Sequence, residues 1–347
     1  MLKIFFDYFC HRLFINYMNV IRFWLKNART IALPQSMLPA ILAVCMASQR
    51  EGFSFLLGLL AVLGVMAGHL SVNLFDDYFD YKVKKTDYRT HLEHQGMRAR
   101  IAKCTYLTSG EATLRQLLIA CFVFGIIALA IGFFIYLYRD NFILLMAAIA
   151  GMTGIFYSGP PLRLSYRGLG EIVIGMMFGP MLMVGVFYAA CGVFDSAVLF
   201  VSVPVGLLVT NIVYSHAIMD YEPDKLVGKM TFAILLKSKR LMINCLLILL
   251  VLSYLILISG VICGYLSPYF LISLITVPMA VSQFRLMIEF VRDPNRSFSP
   301  RFWMGPMGNW KLIKEMGIDW FMIRWLLARN LMSFFCIILM IVSLINL

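Results

Sequence analysis

The sequence predicts an all-α, polytopic membrane protein of about nine transmembrane helices, and three observations carry that prediction. Hydrophobic residues make up 61% of the 347 and charged residues only 14%, with a mean hydropathy of +0.84, a composition incompatible with a soluble globule. Apolar stretches of about 17 to 25 residues, the length needed to cross a bilayer, recur along the chain. All but two of the 30 Lys and Arg residues, Arg50 and Arg139, fall on one side when those stretches are threaded alternately. This satisfies the positive-inside rule with a cytoplasmic N-terminus.

Residues 1–28 interleave Phe5, Phe9, Phe14, Phe23 and Trp24 with Lys3, Arg12, Arg22 and Lys26. That pattern is too charged for a signal peptide and reads as an interfacial amphipathic segment. Residues 29–347 read as one transmembrane domain. Its spans are expected at approximately Thr30 to Ser48, Phe53 to Phe75, Leu117 to Leu137, Phe142 to Tyr157, Ile172 to Cys191, Ala197 to Met219, Leu241 to Cys263, Leu266 to Phe290 and Leu326 to Leu347. Two longer loops, near 76–116 and 291–325, are expected on the cytoplasmic side. The first carries Lys82, Lys84, Lys85, Arg89, Arg98, Arg100 and Lys103, and reads either as a lid over an anionic substrate or as a solvated basic loop. The second, rich in Trp and Met, reads as an interfacial segment, and Arg285 with Glu289 as an i,i+4 pair closing the eighth span.

A net charge of +12 could suggest nucleic acid, but the basic residues border spans, where they orient helices and meet anionic lipid. No nucleic-acid partner is expected; the lipid bilayer is. The eight cysteines show no CxxC and no zinc-ligand spacing, so they read as apolar packing residues. His91 and His94 read as solvated loop histidines.

Two acidic clusters stand out against this apolar background: Asp76-Asp77-Tyr78-Phe79-Asp80 and Asp220-Tyr221-Glu222-Pro223-Asp224. Carboxylates beside hydrocarbon require a compensating cation, and divalent metal holding a diphosphate supplies one. His69, Asn73, Asp76 or Asp77, and Asp80 recur at intervals of three or four, so they line one stripe of the second span, and a polar stripe inside a membrane helix faces a cavity. Asp77 and Asp80 are close enough to share a metal, with Asn73 one turn deeper as a neutral ligand. Asp220 and Asp224 repeat the device at the end of the sixth span, followed by Lys229, which can neutralise phosphate oxygens. Between the clusters, Tyr157 precedes a Pro160-Pro161 loop and reads either as a site hydroxyl or as an interfacial aromatic. Glu171 suits either the cavity or a helix N-terminus.

These residues resemble the UbiA superfamily of intramembrane prenyltransferases, and within it the 1,4-dihydroxy-2-naphthoate prenyltransferases of menaquinone biosynthesis. Asn73 to Lys82 with Thr86-Asp87 is similar to that branch's N-L-x-N-D-Y-x-D segment, and Asp220 to Thr231 to its D-x-E-x-D-x-x-x-G-K-x-T. Tyr157 to Arg163, Tyr166 to Glu171 and Arg29-Thr30 resemble its remaining motifs. Asp76 stands in place of the branch's Asn, and His216-Ala217-Ile218-Met219 stands where it has N-N-x-R.

The resemblance implies nine helices around a central cavity and Mg²⁺-dependent transfer from a polyprenyl diphosphate to an aromatic acid. The inner (cytoplasmic) membrane is its expected location, with the site facing the cytoplasm. It implies Asp77, Asp80, Asp220 and Asp224 as catalytic metal ligands, and Asn73, Arg29, Tyr157, Arg163 and Lys229 as substrate-binding residues. A 4-hydroxybenzoate polyprenyltransferase, or another lipid-forming member of the superfamily, is the alternative within the same chemistry. A cation channel or a transporter is the alternative outside it.

Overall fold

The computed structural model describes residues 19–82, 104–226 and 228–345. Regular structure among them is helical throughout. After a short helix, α1, at residues 19–27, come α2 (Pro34–Ala47), α3 (Phe55–Lys82), α4 (Thr105–Thr108), α5 (Leu114–Tyr136), α6 (Asn141–Ser158) and α7 (Gly170–Cys191). The chain continues through α8 (Ala197–Met219), α9 (Tyr221–Leu226), α10 (Phe232–Leu236), α11 (Lys239–Ile262), α12 (Pro268–Arg292), α13 (Trp310–Glu315) and α14 (Asp319–Ile345). Eight of these are long and apolar enough to cross a membrane, and α2 is a shorter apolar helix of 14 residues. Together they account for the nine expected spans.

Local chemistry sets the boundaries. Helix α2 opens on Pro34, whose fixed φ and missing N–H suit a first helical position; Arg29, in a left-handed conformation (φ 60°), and a 3-10 turn at Thr30–Ala32 precede it. Thr113 and Gln116 form a capping box at the start of α5, and the Asp140 carboxylate accepts from Phe142 N at 2.8 Å at the start of α6. Helix α3 runs to Lys82, so Asp76, Asp77 and Asp80 occupy its last turns rather than the start of a loop. Most of the expected basic lid, including Lys84, and His91 and His94, lie outside the described residues, as does the N-terminal part of the amphipathic segment.

Helix α8 is the axis of the molecule: 72% of its most apolar stretch is buried, against 17% for α5 and for α6, which face outward. Its contact with α7 is backbone to backbone. A Cβ at Gly179 would lie 2.4 Å from the Gly206 Cα, and one at Gly206 would lie 2.6 Å from the Gly175 carbonyl oxygen, so small residues let the two helices meet. Successive spans run antiparallel, which brings the ends of α3, α6, α8 and α12 to one side, the acidic end. At the far end the two isolated arginines are structural. Arg50 pairs with Asp195, and Arg139 donates to the carbonyls of Ala189 and Ala190 at 3.0 and 2.8 Å, satisfying orphan carbonyls at the end of α7.

The 291–325 segment is docked rather than loose. Asn330 on α14 donates to the carbonyls of Met304 and Pro306, both at 2.9 Å. The fully buried Arg324 donates to Leu286 O at 2.9 Å and lies against the rings of Phe290 and Phe298. Glu289 does not pair with Arg285. The chain turns back after Arg292, and Arg296 reaches it at 2.5 Å. Cys45, Cys121, Cys191, Cys245, Cys263 and Cys336 are free thiols, in keeping with packing roles.

Candidate active site

A cavity of about 600 Å³ opens between α3, α5, α6, α7 and α8. Most of its wall is apolar, from residues such as Phe122, Ile126, Ile174, Met177 and Phe178, while charged groups gather at the acidic end. This is the form of a site that seats a hydrocarbon chain and holds an ionic head.

One side of the charged end comes from α3. Asn73 and Asp76, three residues apart on one face, line the cavity together with Arg29. Asn73 is held by its Nδ2, which donates to Ala28 O at 3.0 Å, so α3 positions the backbone that carries Arg29. The guanidinium donates to Asp76 Oδ2 at 3.1 Å and also to Asp77 Oδ1. Burial works against its charge, but Asp77 and Asp76 together outweigh that and hold its pKa above the ordinary arginine value. Ser158 Oγ, at the end of α6, donates to Asp76 Oδ1 at 2.5 Å.

The other two aspartates of the cluster are turned aside. Asp77, 3% exposed, accepts from Tyr106 OH at 3.1 Å as well as from Arg29, and Asp80, 8% exposed, accepts from Tyr166 OH. Burial, reinforced by the neighbouring carboxylates, raises the pKa of both phenols, so both remain protonated donors at neutral pH.

The facing side comes from the end of α8 and from α9. Asp220 and Asp224 line the cavity and are almost wholly buried. His216, one turn before Asp220, lies with Nε2 at 3.0 Å from Asp220 Oδ2. After α9 the chain doubles back: Lys229 N donates to Asp224 O at 2.9 Å, which brings Lys229 to the cavity wall. Glu171 satisfies both readings of the sequence. It sits in the first turn of α7, lines the cavity, and accepts from Phe232 N at 3.0 Å, tying α7 to α10.

Six of the nine expected site residues therefore line one cavity: Arg29, Asn73, Tyr157, Asp220, Asp224 and Lys229. Asp77 and Asp80 stand behind its wall, and Arg163 is an exposed loop residue in a left-handed conformation outside it. Asp76, Glu171 and His216 also belong to the wall, although they are not among those nine. Periodicity held the signal for Asp76, which follows His69 and Asn73 on the stripe, and i,i+4 spacing to Asp220 held it for His216.

Residues 36–305 match the UbiA prenyltransferase family. The chain belongs to that family. It is thus a prenyltransferase, and its long apolar helices make it a multi-pass membrane protein. Among its relatives is the 1,4-dihydroxy-2-naphthoate octaprenyltransferase of Bacillus subtilis, 24% identical over 75% of this chain and 80% of the relative. Another is the 2-carboxy-1,4-naphthoquinone phytyltransferase of Synechocystis, 26% identical over 79% and 83%. The fold is similar to that of a solved UbiA homologue from Archaeoglobus fulgidus bound to DMAPP and Mg²⁺, with a TM-score of 0.55, 16% identity and coverage of 93% of this chain and 99% of that one.

Proposed function

We propose that this prenyltransferase moves a polyprenyl group from a polyprenyl diphosphate to an aromatic acid, 1,4-dihydroxy-2-naphthoate, at the cytoplasmic face of the inner membrane. The observation that carries the reading is the pairing of Asp76 with Asp220 and Asp224 across the charged end of one apolar cavity. The names of the Bacillus and Synechocystis relatives support a naphthalene-derived acceptor over 4-hydroxybenzoate.

The donor set fits Mg²⁺. It is made of hard carboxylate oxygens on two facing walls, and Mg²⁺ is commonly held by one or two carboxylates with substrate phosphates completing its shell. Asp76, Asp220 and Asp224 would hold it from the cavity wall. Asp77 and Asp80 would join once released by Arg29 and Tyr166. When bound, the metal neutralises charge on the departing diphosphate. The remaining work belongs to the chain. Lys229 reaches phosphate oxygens, Tyr157 offers a hydroxyl beside them, and the apolar wall excludes water from the allylic carbon. Arg29, at the same level, would present two parallel donors to the acceptor carboxylate once it releases Asp76 and Asp77.

Purified protein in detergent or nanodiscs should convert a polyprenyl diphosphate and 1,4-dihydroxy-2-naphthoate into a prenylated lipid product. Activity should be lost with EDTA and return with Mg²⁺. A clear preference for 4-hydroxybenzoate across a panel of aromatic acids would replace the naphthoate assignment, and metal-independent turnover would remove the carboxylates' proposed role.

A further inference from the structure

Deeper in the cavity sits a polar pair that the charged end does not use. His69 precedes Asp76 by seven residues on α3, which at 1.5 Å per residue sets it about 10 Å further from the acidic end. Its Nδ1 lies 2.7 Å from Ser36 Oγ on α2. That hydroxyl has a single proton, which it donates to Leu33 O at 3.1 Å. With that proton on Leu33 O, Ser36 Oγ accepts from Nδ1–H, and Nε2 keeps its lone pair. Ser36 is fully buried, so the lock is out of reach of water, while His69, 7% exposed, lines the cavity. Across from it stands Phe178, with ring centroids 4.8 Å apart, in a π-helical turn at Met177–Met181 that interrupts α7. Such interruptions gather at functional sites, as do ionisable residues inside membrane helices.

We propose that His69 is the general base for the aromatic acceptor, an inference that rests on the reading of the acceptor as a hydroxylated aromatic acid. Nε2 takes the proton of the ring hydroxyl, and the electron pair released into the ring lets the adjacent carbon form the new C–C bond. The C–O bond of the prenyl diphosphate breaks, with its electron pair leaving on the diphosphate. The attacked carbon, which carries the carboxylate, then loses CO₂ and leaves its bonding pair in the ring. The resulting phenolate recovers its proton from His69, so no proton is gained or lost overall. Phe178 holds the imidazole against the ring plane, and Ser36 is a positioning residue that fixes the tautomer.

The test compares the wild type with His69→Gln, His69→Ala and Ser36→Ala on two acceptors, 1,4-dihydroxy-2-naphthoate and a ring-fluorinated analogue whose hydroxyl is more acidic. With the parent acceptor both His69 variants should lose on the order of 10²- to 10⁴-fold in kcat, the range for removing a general base. His69→Gln, which can still accept a hydrogen bond, should keep the acceptor KM. Because a more acidic hydroxyl needs less help, the analogue should recover roughly tenfold or more of the loss. Ser36→Ala should show a smaller deficit with the same recovery. Calorimetric binding of the prenyl diphosphate with Mg²⁺ should be unchanged in all three.

Equal deficits on both acceptors, or loss of prenyl diphosphate binding, would make His69 structural and overturn the proposal. Should His69→Ala fail to fold, His69→Gln and Ser36→Ala decide the matter alone. A wild-type protein that prenylates no aromatic acid overturns the acceptor assignment itself, before any variant is needed.

Discussion

Residue by residue, the charged end of the cavity is a balance of opposite charges held at short range. Asp220 is 1% exposed beside His216, and Asp76 shares Arg29 with Asp77. Removing a group that stabilises departing charge costs roughly 10²-fold or more. Asp76→Ala and Asp220→Ala should therefore each reduce turnover by about that factor while the purified variants keep wild-type elution and thermal stability. Retention of most activity in either would show that its wall of the cavity is not used.

Arg29 is the more discriminating position, because its guanidinium pairs with Asp76 and Asp77 and is also the group proposed to hold the acceptor carboxylate. Lysine keeps the charge but not the planar fork. Arg29→Lys should raise the acceptor KM roughly tenfold or more, the worth of a hydrogen bond to a charged group, with a smaller effect on the prenyl diphosphate KM. Equal effects on both substrates would assign Arg29 to Asp76 and Asp77 alone.

Among the elements, the contact between α7 and α8 shapes the site, since it seats the helix that carries Glu171 and the π-helical turn, both on the cavity wall, against the helix that ends at Asp220. Gly175, Gly179 and Gly206 leave no room for a side chain there. At Gly179 the neighbours are backbone atoms, and at Gly206 the nearest is the Gly175 carbonyl oxygen at 2.6 Å, which cannot turn aside as a flexible side chain can. Gly206→Ala should thus cost about 1 to 3 kcal/mol, as overpacking does, and lower the apparent melting temperature in detergent. It should also reduce activity without removing any polar group from the cavity. Gly132, whose Cβ would meet nothing within 4 Å, is the stability control: Gly132→Ala should keep the wild-type melting temperature. The same packing explains an uneven burial along the sequence. Helix α5 is more apolar than α8 but faces outward, because in lipid hydrophobicity does not decide which helix is central.

For the molecule as a whole, antiparallel spans put both acidic clusters, Lys237 and Arg301 on one side and Arg50 on the other. In the orientation proposed above, that first side, with its excess of Lys and Arg, faces the cytoplasm. Single cysteines at Lys237 and Arg301 should react with a membrane-impermeant maleimide only when the cytoplasmic face is open, and one at Arg50 only from outside. Native Cys263, exposed at the far end of α11, is an internal control for the outer face. Outside labelling at Lys237 or Arg301 would reverse the orientation.

Much of this was legible in the amino acids alone. Span number and order follow from bilayer thickness and one-dimensional hydropathy, the family from motif spacing, and the polar stripe of α3 from helical periodicity. Those are properties of neighbours along the chain. Which member of a cluster faces the cavity is a property of neighbours in space. Asp76, Asp77 and Asp80 are alike in sequence, yet Tyr106 and Tyr166, distant along the chain, engage Asp77 and Asp80 behind the wall and leave Asp76 on it. Glu289 likewise met Arg296 instead of Arg285 because the chain reverses after α12. The pairing of Ser36 with His69 joins two helices across 33 residues, and no period of a single helix encodes it. Bilayer length and helical repeat could be read from order alone; the partner of each buried polar group was decided by packing, because only the folded chain sets which hydrogen-bonding groups come within reach.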